Sequence, residues 1–381
     1  MIHSRVSPFT RIALAIASAT LASMLLKAAA AAQFTVNTLD GGSGVSGACA
    51  LADAIRAHNN PGTSITQCGT GTGNDQIQFS VSGKITIINT LLVGDGALTI
   101  TGPGPSSSSL VIDGLGGTPP NIFQREVLRV DKGAMVTIDT LSIDDGDGVF
   151  VDGPVQVTTN GAGIFNSGML TVRNSSFFNN GTMDLNGICF TAAGGAIYND
   201  VGASLSVTNS SFDFNCAGDG GGIFNKSTQP VTVSNSTFRA NTGEAIFNDL
   251  GATLIINSNS KFDSNKAGPQ FPTCICAGGG LFNKGEAMID NVSFLAFNSA
   301  TIGGGIYNVN SLTITNSSFS NNNATFGGGI ANVPELALSE GINATVTIEG
   351  STLSGNQAAG DGEGIFNDGG EVVLKNSVTF C

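Results

Sequence analysis

Residues 312–319 read Leu-Thr-Ile-Thr-Asn-Ser-Ser-Phe, with an apolar residue at every second position until a polar corner and an aromatic ring. The pattern returns at 170–177, 205–212 and 231–238 and, more loosely, at 254–262, 287–294, 346–353 and 372–378. A period of two puts Leu, Val and Ile on one side of a strand and Thr and Ser on the other. Ahead of each such run stands a glycine phrase, for example Gly-Gly-Gly-Ile-Phe-Asn at 220–225 and Gly-Gly-Gly-Ile-Tyr-Asn at 303–308. Its closing asparagines are Asn166, Asn199, Asn225, Asn248, Asn283, Asn308, Asn332 and Asn367, spaced 33, 26, 23, 35, 25, 24 and 35 residues apart. A recurring unit of this size is the signature of a solenoid.

Each unit holds two or three strands of about three to five residues separated by Gly, Asn and Ser corners, which tolerate positive φ. No helical period runs through 120–381. Short strands without crossover helices fit a chain that coils back above itself at the ~4.8 Å spacing between strands. The expected fold is therefore all-β, a right-handed parallel β-helix. One coil buries about four large side chains, such as Ile306, Leu312, Ile314 and Phe319, at ~1.5–3 kcal/mol each. Ordering its residues costs ~1–2 kcal/mol apiece, so coils fold only when stacked. The eight asparagines would then lie one above another and join through their amides in an internal ladder. The longer periods predict loops at 180–193, 266–277 and 333–343.

The N-terminus carries Arg5 and Arg11, an apolar stretch at 12–26, Lys27 and alanines up to Ala32. This pattern predicts a secretory signal peptide over 1–32, an N-terminal cap over 33–76 and the β-helix over 77–381, with no transmembrane segment after processing. Removing 1–32 leaves 12 Lys and Arg against 28 Asp and Glu, a net charge of −16. So acidic a chain disfavours nucleic acid or anionic lipid as partner. Seven cysteines in an exported chain point to disulfides. Cys49 and Cys68 bracket a short unit, and Cys189 and Cys216 fall where two adjacent coils could be stapled. Cys274 and Cys276 share one loop, and Cys381 is left without an assigned partner.

The stretch 50–58 has Leu51, Ala54 and Ile55 on one helical face. A helix there would cover the open edge of the first coil. With the preceding Thr-Val-Asn and Cys49, this segment resembles the Cys-Ser-Leu-Arg-Glu-Ala-Ile motif of bacterial secreted β-helix proteins. Cys49, Leu51, Ala54, Ile55 and Asn59 match, while Ala52 and Asp53 stand where that motif has Arg and Glu. The runs beginning at Leu98, Leu110 and Val136 are similar to the first coils of the same family. The Gly-Gly-Gly-Ile-Tyr-Asn and Phe-x-x-Asn phrases, the latter at 212–215, 238–241 and 262–265, resemble the repeats of the polymorphic outer membrane protein family. Together the resemblances span nearly all of 33–381 and imply a bacterial secreted or outer-surface protein of adhesin type.

Enzymatic β-helices need acids placed for calcium or for sugar-bond cleavage. The densest acidic run holds Asp144, Asp145, Asp147 and Asp152, which could present oxygens to calcium or form a solvated turn. Asp219, Asp361 and Glu363 read as isolated corner residues, and His58 as a surface residue on the capping helix. The cations Arg125, Arg129, Arg173, Arg239, Lys226 and Lys284 are scattered. The expectation is a non-enzymatic secreted or cell-surface rod without a required cofactor, binding carbohydrate or a host or cell-surface protein. A polysaccharide lyase or glycoside hydrolase using 144–152 is the alternative. No run of long alternating strands suits a membrane barrel. Ending in mid-coil at Cys381, the chain is expected to be a truncated product or to associate end to end through its last coil.

Overall fold

The computed structural model describes residues 30–381 except 105, 115–125, 148, 153–154, 159, 182–188, 190, 269–275, 296, 335–342 and 377. Nearly all of the signal segment, the middles of the three expected loops, Cys274 and Arg125 thus lie outside the described residues. The rest is a parallel β-helix. Among the described residues three parallel sheets of 12, 10 and 12 strands run the length of the chain, each strand pairing with its equivalents in the coils on either side. A representative coil passes through Ile306–Asn308 in the second sheet, Ser311–Thr315 in the first and Ser318–Ser320 in the third.

Register follows from the alternation. Leu312 and Ile314 are buried and sit opposite Val346 and Ile348 in the next coil, so a slip of one residue would expose every core side chain. In the third sheet the inward position is aromatic. Phe177, Phe212, Phe238, Phe262, Phe294 and Phe319 stack in a continuous file with centroids 4.6 to 4.9 Å apart and planes within 9° of parallel. Gly222 permits this packing: a Cβ there would lie 2.5 Å from the Ala245 carbonyl and 3.0 Å from the Phe238 ring.

The second sheet places Ile and Asn inward and turns the aromatic between them outward. Phe165, Tyr198, Phe224 and Phe247 form a second stacked file outside the main core, with centroids 4.9 to 5.2 Å apart. Burial, with Asp200 and Asp249 nearby, pushes the Tyr198 hydroxyl up to about 12.

Asn166 through Asn367 are joined in one file, each Nδ2 donating to the next Oδ1 at 2.7 to 3.1 Å. A second buried file runs along the turn after the third sheet, from Asn180 through Asn215, Asn241, Asn265, Asn298 and Asn322 to Asn356, at 2.8 to 3.0 Å. Disulfides join Cys49 to Cys68 and Cys189 to Cys216.

The helix Leu51–Asn59 packs Leu51, Ala54, Ile55 and Ala57 into the main core. Strand Ala32–Val36 enters the first sheet beside Asn74–Phe79. His58 is not a surface residue. It is 1% exposed, because it falls one helical turn beyond Leu51, Ala54 and Ile55 on the same apolar face. Its Nδ1 lies 2.9 Å from Asp75 Oδ2 and its Nε2 2.9 Å from the Asp95 carbonyl. Burial would raise the Asp75 carboxyl, but hydrogen bonds from Thr72, His58 and the Ala32 amide hold it below its usual range.

Candidate functional site

The strand ends of the third sheet bring together residues far apart in sequence. Asp144 closes Ser142–Asp144 and lies in register with Asp113 in the preceding coil and Phe178 in the following one. Lys84, in the strand Gly83–Ile87 one coil earlier still, pairs with Asp113 and reaches within 3.8 Å of Asp145. The Ser142 hydroxyl donates to Asp144 and accepts from Ser176. Asn179 donates to Asp145 at 2.6 Å.

Electrostatics separate these acids. Burial, followed by the charges of Asp145 and Asp113, pushes Asp144 up to about 6 against the opposing pull of Ser142 and Lys84. The hydrogen bond to Asp113 holds Lys84 above its ordinary value. Of the acids expected in the 144–152 run, the structure therefore brings Asp144 and Asp145 together. Asp147 is buried, and Asp152 lies in the antiparallel hairpin Val149–Asp152 and Val155–Thr158, whose side chains are outside the described residues. Among the described residues no group of three or more His, Cys, Asp or Glu is disposed to hold a metal ion. The partners missed from sequence, Lys84 and Asp113, had one signal: Val-Ile-Asp-Gly at 111–114 is the coil equivalent of Ser-Ile-Asp-Asp at 142–145.

Beyond Asp144 the strand ends change character from coil to coil: Phe178, Asp213, Arg239 and Asp263 follow in register. Phe178 and Phe214 are 45% and 47% exposed and meet edge to face at 5.7 Å. The Arg239 guanidinium lies 5.6 Å from the Phe214 ring and bonds Asp213 at 3.2 Å.

A further acid is hidden in the glycine phrase itself. At 243–248 it reads Gly-Glu-Ala-Ile-Phe-Asn, so Glu244 takes the place of Gly221 and is buried with a positive φ of 57°. It accepts a hydrogen bond from the Gly220 amide at 3.1 Å. Burial and the neighbouring Asp219 raise its carboxyl well above the ordinary range. Asp219 is thus no isolated corner residue.

A group that titrates higher in the folded than in the unfolded chain stabilises the fold below the ordinary Glu range, and that stability is lost as pH rises, by ~1.4 kcal/mol per unit, until the folded carboxyl ionises. Glu244→Gln keeps an acceptor for Gly220 and removes the titration. The variant should be more stable than the parent at pH 8, with the gap closing towards pH 4. Urea midpoints across that range measure it, and parallel profiles would refute the assignment.

No protein-family model matches the chain, and no curated protein matches it. Among solved structures it is similar to ORF18 of Geobacillus virus E2, at 12% identity and a TM-score of 0.40, over 100% of this chain and 65% of that one. It is also similar to Escherichia coli ybhc, at 12% identity and a TM-score of 0.32, over 91% of this chain and 85% of that one. The chain thus spans 65% of the length of the viral protein.

Proposed function

We propose that this protein is an exported, non-enzymatic β-solenoid that acts as an adhesin-like rod at the cell surface or outside the cell, binding carbohydrate or a cell-surface protein. One observation carries the reading. Inward positions keep one kind of residue coil after coil, aliphatic or aromatic in the strands and Asn in the two files, whereas the outward end of the third sheet runs Asp144, Phe178, Asp213, Arg239, Asp263. Stacking constrains the first set of positions and leaves the second open to recognition. The two disulfides support an oxidising compartment, as do the motif resemblances at 49–59 and in the glycine phrases. No helix among the described residues is long and apolar enough to cross a membrane.

A second reading, glycoside hydrolysis, is favoured by Asp144. A carboxyl raised to about 6 beside other carboxylates resembles the acid of a glycosidase pair. The test is to incubate the full chain with intact bacterial and animal cells and with neutral and acidic polysaccharides, with and without calcium. Retention and release of reducing or unsaturated ends are both measured. Retention without release is expected. Release that disappears in Asp144→Asn would replace the rod by an enzyme, and neither retention nor release would refute both readings.

A further inference from the structure

We infer that the aromatic corner formed by Phe178 and Phe214, beside Asp145, Asn179 and Asp213, is a subsite for one or two sugar rings of a neutral polysaccharide. This rests on the binding-rod reading and names its ligand class. Single exposed apolar side chains are ordinary on a protein surface, but two phenylalanines in contact with each other, each nearly half exposed, form a patch.

Phe214 is moreover held at a backbone φ of 57°, in a file of corner residues that elsewhere includes Asn179, Ala240, Ser264 and Asn321. A bulky side chain in the left-handed region is strained. The fold bears this at a position where Asn, Ala, Ser and a second phenylalanine, Phe297, occur in other coils, and at Phe214 alone among them the ring presented to solvent meets a second exposed ring, Phe178. The ring meets Phe178 at 5.7 Å with planes 67° apart and lies 5.6 Å from the Arg239 guanidinium, itself tethered to Asp213, and keeps 47% of its surface open to solvent. An aromatic face of this kind matches the axial C–H face of a pyranose, which is weakly hydrated and slightly positive, opposite the negative face of the ring.

Polar groups surround the platform as a sugar requires. Asp145 and Asp213 offer carboxylate oxygens to hydroxyl donors, the stronger kind of hydrogen bond, and Asn179 offers an amide. The same acids set the charge of the ligand. Asp113, Asp144, Asp145, Asp213 and Asp263 all lie along or beside this file of strand ends and outnumber the cations Lys84 and Arg239 paired to two of them, and the whole chain carries −13. A uronate polymer would be repelled. A neutral chain laid along the solenoid axis would meet successive coils at ~4.8 Å, so one ring spans about one coil.

The chain contains no tryptophan, so Phe214→Trp provides a single fluorescent reporter at the platform. Cellohexaose and chitohexaose serve as neutral probes and hexagalacturonate as the acidic one. Titration with a neutral hexasaccharide should shift the emission of the introduced indole and saturate. In the parent background, Phe178→Ala and Phe214→Ala should each weaken binding measured by calorimetry at least tenfold. Phe297→Ala, which removes a 69% exposed ring elsewhere in the corner file, should leave binding unchanged. Far-UV circular dichroism confirms that each variant is folded. Neutral-sugar binding indifferent to Phe178 and Phe214, tighter binding of hexagalacturonate, or no binding of any probe would overturn the subsite. Retention of the parent on cells would still stand in each of those cases, which separates failure of the subsite from failure of the rod.

Discussion

Asn241→Ala is expected to remove about 4 kcal/mol of stability, a large share of the 5–15 kcal/mol typical of a folded domain. Its Oδ1 accepts from both the backbone amide and the side-chain amide of Asn215, each at 3.0 Å. Its Nδ2 donates to the Phe212 carbonyl at 2.8 Å and to Asn265 Oδ1 at 2.9 Å. Alanine would leave two donors of Asn215 without an acceptor and take one bond each from the Phe212 carbonyl and from Asn265 Oδ1, which keeps the Asn241 backbone amide, at a position with no exposed surface. Each unmet buried group costs ~1–3 kcal/mol, and partial relaxation keeps the sum towards the lower end. Asn241→Asp distinguishes this account from simple loss of volume. Its carboxylate could still accept from Asn215 but would turn its second oxygen towards two other oxygens, so the variant should be markedly less stable at pH 7 than at pH 4. Urea unfolding of both variants at the two pH values is the measurement. A cost below about 1 kcal/mol for Asn241→Ala would show that the file is ornamental.

Much of the fold could be read from sequence because a solenoid places like on like. Leu312 over Val346 and Ile314 over Ile348 need the same period-two pattern in every coil, and that pattern is what alternation reveals. The first asparagine file was legible for the same reason. The second was visible only as the phrase Phe-x-x-Asn, for a geometric reason. Counting inward and outward along a strand would turn the Asn of that phrase outward. A left-handed residue at Asn179, Phe214 or Ala240 bends the chain and returns Asn180, Asn215 or Asn241 to the interior. His58 was misread although its spacing from Leu51, Ala54 and Ile55 puts it on the apolar helix face, and Glu244 was missed because its burial comes from packing between coils. The acidic site was half legible: Asp144 and Asp145 are adjacent in the chain, but Lys84 and Asp113 come from coils that lack the glycine phrase, which leaves Val-Ile-Asp-Gly at 111–114 as the one marker to align and none for Lys84. The strands Val149–Asp152 and Val155–Thr158 alternate as the coil strands do, and nothing in their composition distinguishes an antiparallel pair from another coil.

Phe238→Ala is expected to cost ~3–5 kcal/mol, whereas Phe214→Ala should be nearly neutral or slightly stabilising. The two residues lie one coil apart and have the same side chain, so the difference isolates environment. Phe238 is fully buried, stacked between Phe212 at 4.6 Å and Phe262 at 4.9 Å with planes within 6° of parallel. Deleting its ring opens a cavity in the middle of a file whose neighbours are fixed by the strand spacing and cannot collapse into it. Gly222 has no side chain to fill the space. Phe238→Leu, which retains most of the apolar contact, should recover more than half of the loss. Phe214 buries little and carries backbone strain that alanine bears more easily. Denaturant unfolding of the three variants tests the account, and a Phe238→Ala cost under about 1.5 kcal/mol would contradict it. The consequence reaches the surface. Arg239 follows Phe238 in the same three-residue strand and steadies the Phe214 platform. A cavity beneath that strand should therefore weaken glycan binding as well as stability, while Phe214→Ala should weaken binding alone.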